Sequence, residues 1–175
     1  FAFKYPFQKY DQVIVPEFGS GAMENVAAVT FSEKYVKRFK PTQLDRERNA
    51  NTLLHEMAHM WFGDIVTMKW WDDLWLNESF ATVMAYTALV EATEFKTAWL
   101  DFYQDTKLWA YGVDITPTTH PISTQVTDTS VAFSNFDGIT YGKGASVLKL
   151  LNYYLGKEVF KKGVQSFIQT HAFKN

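Results

Sequence analysis

The chain has 175 residues, 47% of them apolar and 17% aromatic, with a net charge of −2 and no cysteine. That size and composition suit one domain with a buried core and exclude a disordered segment. The charge balance leaves no basic footprint for nucleic acid and no polybasic membrane patch, and the lack of cysteine excludes disulfides and thiolate metal sites. No apolar run is long enough to span a bilayer, and no signal-peptide pattern opens the chain. A cysteine-free chain suits the cytoplasm, which is the expected location. The chain opens without an initiator Met, and a helical pattern runs out at its end. The expectation is therefore that residues 1–175 form one domain cut from a longer, multidomain protein.

In chain order, "QVIV" (12–15) and "VAAVTF" (26–31) read as short strands from their β-branched content and the bounding Pro16 and Gly19. Between them lies "GSGAMEN", a glycine-rich turn carrying Glu24. Alone, it reads as a turn ending in a solvated acid. Residues 40–63 read as a helix, with Thr42 and Asp45 as a capping box after Pro41 and Gly63 as the stop. "DIVTMKWW" (64–71) reads as a brief extended crossing. A second helix covers 72–92, with Asp72 or Asp73 as its cap. A third covers 94–112, ended by Gly112, and a Thr/Ser/Asp-rich loop follows to about Gly138. Helices over 139–156 and 157–173 complete the chain. A few strands followed by helices predict an α+β fold rather than a doubly wound sheet.

The helix over 40–63 contains "HEMAH" (55–59). His55 and His59, four apart, project from one helix face, so both imidazoles can reach one metal ion. Glu56 points slightly aside, where it can hold a water without being a ligand. Apolar neighbours such as Leu54, Met57 and Trp61 make unpartnered ionisable groups expensive here, by several kcal/mol. The pattern also fits a helix with two hydrogen-bonded histidines and a surface Glu. A third ligand separates the two readings, since a catalytic zinc usually takes three protein groups. Without cysteine, and with only His120 and His171 to spare, a carboxylate is the choice. Glu78, inside the otherwise apolar "LWLNESFATVMA", is the candidate. Asp64 suits a turn or a partner to a histidine, and Glu91 and Glu94 lie at a helix end.

HEMAH followed, after residues 60–77, by the Glu of "NES" resembles the gluzincin pattern. With "GAMEN" upstream and "FDGITYGKGASVL" downstream, the chain resembles the aminopeptidase N family of zinc aminopeptidases along nearly its whole length. The resemblance implies a thermolysin-like (zincin) catalytic domain with one Zn2+ per chain, held by His55, His59 and Glu78. It implies Glu56 as the general base. It makes Glu24 the anchor for the free α-amino group of a peptide, with Gly21, Ala22 and Met23 lining the same cleft: the backbone of Gly21 and Ala22 pairs with the extended substrate, and Met23 walls the first side chain. Tyr141, by the same resemblance, donates to the oxyanion of the tetrahedral intermediate. Asp137 either shapes the cleft or caps a loop, and Lys143 is read as a surface or structural lysine.

The expected partners are peptides with a free N-terminus and the other domains of the longer protein. The implied reaction is release of one N-terminal residue at a time. A thermolysin-type endopeptidase shares the zinc site but needs no amine anchor, so Glu24 disfavours it. A branch of the family opens a lipid epoxide with this site. A zinc-binding scaffold without chemistry is the reading from another class, and it needs neither Glu56 nor Tyr141.

Overall fold

The computed structural model describes residues 2–175. Its strands are β1 (Asp11–Val15), β2 (Ala22–Met23) and β3 (Ala28–Ser32), in the order β1-β3-β2. β1 pairs parallel to β3, with Asp11 opposite Ala28 and Val15 opposite Ser32. β2 pairs antiparallel, with Ala22 opposite Phe31 and Met23 opposite Thr30. Both expected strands are present, though Val26 and Ala27 belong to a turn closed by Ala28 N–H donating to the Asn25 carbonyl (2.9 Å). The glycine-rich stretch itself supplies β2, which two residues of sequence could not announce because no alternation shows. The inward residues of β3, Val29 and Phe31, pack on Met60 just past the next helix. That contact holds the sheet against the end of the helix bearing HEMAH.

That helix, α1 (Gln43–His59), starts at the expected capping box: Thr42 Oγ1 accepts from Asp45 N–H (3.1 Å), and Asp45 Oδ2 accepts from Thr42 N–H (2.9 Å). It ends at His59, short of Gly63. The following segment is not the expected extended crossing. Asp64, Ile65 and Val66 N–H donate to the carbonyls of His59, Met60 and Trp61, winding the chain in wide turns. Burial is the reason: Phe62, Ile65 and Val66 insert against Phe160, Val164 and Ile168.

α2 (Leu74–Ala92) follows a 3-10 turn at Trp71–Asp73 and is buried on most of its circumference, with Ser79, Ala81, Ala85 and Leu89 at 0% exposure. It is the central helix, packed on α1 and on the later helices. Asp73 stands at its N-cap position, but neither aspartate makes a side-chain capping bond to it. Asp72 Oδ1 instead accepts from Val126 N–H (2.6 Å), and Asp73 Oδ1 accepts from Ser123 Oγ (2.9 Å). These acids stitch the long loop to the start of α2.

The expected third helix begins at Ala98 and runs past Gly112: α3 (Ala98–Asp101), a π-helical segment (Phe102–Lys107) and α4 (Leu108–Asp114) follow without a break. The loop after it contains α5 (Thr129–Ser134), capped by Asp128, whose Oδ1 accepts from Ser130 N–H (2.9 Å). A second π-helical segment (Ile139–Lys143) leads into α6 (Gly144–Leu155), and α7 (Lys157–His171) ends the fold. Val83, Leu89, Phe102 and Leu148 form the core between α2, the π segment at Phe102 and α6. The fold is α+β, as its order of elements predicts. Among the described residues, no helix is long and apolar enough to cross a membrane.

Candidate active site

α1 and α2 bring His55, His59 and Glu78 together. His55 Nε2 lies 3.0 Å from His59 Nε2 and 3.2 Å from Glu78 Oε2, and His59 Nε2 lies 3.3 Å from the same oxygen. Donors about 2.0–2.1 Å from a tetrahedral ion stand roughly 3.3–3.4 Å apart. The observed triangle fits that spacing, so these residues suit a small divalent cation, and N,N,O donors suit zinc. His59 is oriented from behind: its Nδ1 bonds the Phe62 carbonyl (2.9 Å), leaving Nε2 to face the cluster. The turn that aims this carbonyl passes through Gly63 at φ +130°, a region closed to other residues without strain.

Glu24, Glu56 and His59 form a second group, with ligand atoms within 4.8 Å of one another. Glu56 is buried, and its Oε2 has no hydrogen-bond partner. Burial first, opposed by His59 and reinforced by Glu24, Glu78 and Asp64, pushes its pKa up to about 8. Burial works against a cation on His59, yet Glu78, then Glu24 and Glu56, outweigh it and raise that pKa to about 10. Burial alone would raise Glu78, but His59 and His55 hold its carboxyl well below the usual range. Burial lowers His55, against the pull of Glu78. Asp64 is pushed up to about 7 by burial and by Glu24. Glu78, Glu24 and Glu56 all act on His59, and a cation between the ligands would favour the ionised form of Glu56.

The cluster opens into a cleft of about 820 Å³, lined by Gly21, Ala22, Met23 and Glu24 together with Trp71, Trp109, Phe136 and Tyr141. β2 is the edge strand here. The Gly21 carbonyl accepts from Ser32 N–H (2.9 Å) within the sheet. By strand alternation, the peptide groups of Ala22 face the open edge. Tyr141 stacks on His55, with centroids 5.9 Å apart and planes at 21°. Burial, then the charge and a hydrogen bond of Glu78, raise its pKa well above the ordinary value, so the hydroxyl stays a donor.

Other candidates lie elsewhere. Asp137 is a loop cap: its Oδ1 accepts from Ile139 N–H (2.9 Å) and its Oδ2 meets His120 Nε2 (3.2 Å). Lys143 pairs with Asp114 at 2.7 Å. Neither His120 nor His171 joins a metal-binding group among the described residues. Sequence reasoning passed over Asn77, which is buried beside Gly63, and Ser79. Both flank Glu78 in the sequence, but two small polar residues in a helix give no signal of their own.

Two imidazoles and a carboxylate converging in an open cleft, with a free carboxylate beside them, are the constellation of a metal-dependent hydrolase. The sequence profile of the Peptidase family M1 domain matches residues 1–175, and the chain belongs to that family. It is 54% identical over 177 residues to aminopeptidase N of Streptomyces lividans, covering 100% of this chain and 21% of that protein. It is 44% identical to probable aminopeptidase 2 of Sulfurisphaera tokodaii, covering 100% of this chain and 22% of the relative. It is 43% identical to the tricorn protease-interacting factor F2 of Thermoplasma volcanium, again over 100% of this chain and 22% of the relative. The chain thus spans about a fifth of the length of these curated relatives.

Proposed function

We propose that these residues form the thermolysin-like catalytic domain of a zinc aminopeptidase, one Zn2+ per chain, acting on peptides with a free N-terminus. The observation that carries the reading is Glu24, on the open strand edge, with Oε1 3.8 Å from His59 Nδ1. A carboxylate fixed there stops the substrate one residue past the scissile bond. An endopeptidase has no use for such a stop.

His55, His59 and Glu78 hold the ion. Zinc, when bound, supplies a Lewis acid that polarises the scissile carbonyl and lowers the pKa of a water toward neutrality. Glu24 takes the substrate ammonium in a charge-assisted hydrogen bond, which sets the register of the chain. The free edge at Ala22 pairs with the extended peptide as an added strand, and Met23 contacts its first side chain. Glu56, with Oε2 unpartnered, accepts the proton of the attacking water and passes it to the leaving amine. Tyr141 donates its hydroxyl proton in a hydrogen bond to the developing oxyanion.

The domain is one part of a longer protein in this reading. Large side chains stand uncovered on its surface, including Ile115 at 85%, Tyr153 at 88% and Tyr154 at 83% exposure. Aromatic surface of that kind marks a docking face, and further domains of the parent protein cover it.

The test is product analysis on the complete parent protein. Metal content by atomic absorption should give one zinc per chain. Mass spectrometry of digested peptides should show residues lost singly from the N-terminus, and none from N-acetylated copies. Internal cleavage of acetylated peptides would make the enzyme an endopeptidase. Zinc without any hydrolysis would leave a binding scaffold.

A further inference from the structure

Ser79 Oγ donates to the Thr140 carbonyl at 2.6 Å, and the two residues are 0% and 1% exposed. The bond links the residue after Glu78 to the residue before Tyr141. It therefore ties α2, which presents the metal ligand, to the π-helical segment that presents the hydroxyl. Two further features are built around it. Gly144 N–H bonds the carbonyl of Ile139, five residues back, rather than that of Thr140, so the helical ladder is shifted where Ser79 enters. Gly144 also makes room for the hydroxyl, since a Cβ there would fall 1.9 Å from Ser79 Oγ.

We infer that Ser79 is a positioning residue for the reaction, setting where the Tyr141 hydroxyl stands over the His55–His59–Glu78 centre. The inference rests on the reading of Tyr141 as the oxyanion donor. An α-helical ladder and a π-helical one place a side chain differently by about one residue's rotation, so the segment needs an anchor outside itself. The core offers one: a fully buried hydroxyl, a carbonyl displaced from the ladder, and a glycine vacancy between them. Loss of the hydroxyl leaves the carbonyl buried and unpaired, which favours rewinding of the segment. Tyr141 then shifts relative to the developing charge. A displacement of about 1 Å in such a group costs on the order of 100-fold in rate.

The experiment is a double-mutant cycle in the complete parent enzyme. Ser79→Ala should lower kcat roughly 10- to 100-fold with KM and zinc content unchanged, because the donor acts in the transition state. Affinity for a phosphinic peptide, which mimics the tetrahedral intermediate, should fall by the same factor, while inhibition by the free amino acid product stays put. In a Tyr141→Phe background, Ser79→Ala should cost little further, since coupled residues are not additive. Equal losses in both backgrounds would make Ser79 a merely structural residue and overturn the inference. So would full kcat in Ser79→Ala alongside a crippled Tyr141→Phe. Full kcat in Tyr141→Phe itself would overturn the reading of Tyr141, and this inference with it.

A swapped pair guards against misfolding. Gly144→Ala alone should lower Tm sharply through its clash with Ser79. In Ser79→Gly/Gly144→Ala the nearest contact of the new methyl becomes Ile122 Cγ2, at 3.7 Å, so Tm should recover. Its kcat should stay low because the hydroxyl is still missing. Recovery of kcat together with Tm would show that filled space, rather than the hydrogen bond, is what the site requires.

Discussion

Glu24 Oε1 lies 3.8 Å from His59 Nδ1, although one residue follows an edge strand and the other closes α1. Packing of Val29 and Phe31 on Met60 fixes the approach. Glu24→Ala should therefore remove the proposed amine anchor and leave the ligand cluster intact. The expected result is an advantage of free over N-acetylated peptide in kcat/KM that shrinks about 10- to 100-fold, the worth of one charge-assisted bond. An undiminished advantage would place the amine on another group.

Glu56 has a buried, unpartnered Oε2 and stands outside the His55–His59–Glu78 triangle. Glu56→Gln keeps its shape and removes its capacity to take a proton. Zinc content should stay at one per chain, and kcat should fall by about 10²–10⁴ or more. Zinc loss as severe as that in His55→Ala would make Glu56 a ligand instead.

Gly63 holds the turn that supports His59 at φ +130°. A Cβ there would meet Asn77 Nδ2 at 3.4 Å and His59 Nδ1 at 3.5 Å. The contacts are ordinary, so the cost of Gly63→Ala is backbone strain of about 1–3 kcal/mol. Relief of that strain moves the Phe62 carbonyl off His59, and zinc affinity should drop about 10- to 100-fold along with Tm. A variant that melts early yet binds zinc as tightly as the parent would show that His59 needs no such support.

Glu47 sits 8% exposed beside Asp101, and its Oε1 has no hydrogen-bond partner. Burial, then the Asp101 carboxyl, push its pKa up to about 7 from 4.5. The folded chain thus binds the extra proton between those values while the unfolded chain has lost it. Stability from this group is highest below the unfolded value and falls as pH rises through the window. Glu47→Gln removes that fall. Melting curves should show the variant gaining more over the parent at about pH 8 than at about pH 5. A gain that is equal at both, or larger in acid, would contradict the raised pKa.

What the sequence determined is local. The four-residue spacing of His55 and His59 sets them on one helix face whatever lies around them, and their Nε2 atoms stand 3.0 Å apart. Thr42 and Asp45 cap α1 through bonds that span three residues. Glu78 stood out because an apolar helix tolerates a carboxylate only where it finds a partner. The order of strands before helices was enough for the α+β class. Tertiary structure decided the remainder. The parallel pairing of β1 with β3, and the edge position of β2, depend on contacts between segments that carry no shared period. The aspartates at 72 and 73 look like helix caps in isolation, and only the packed loop gives them Val126 and Ser123 to hold. Nothing local distinguishes a π-helical turn from an α-helical one in "ITYGKG". There the winding is set by Ser79 reaching Thr140 across the core, a contact between residues far apart in the chain that exists only once α2 and the last helices are packed.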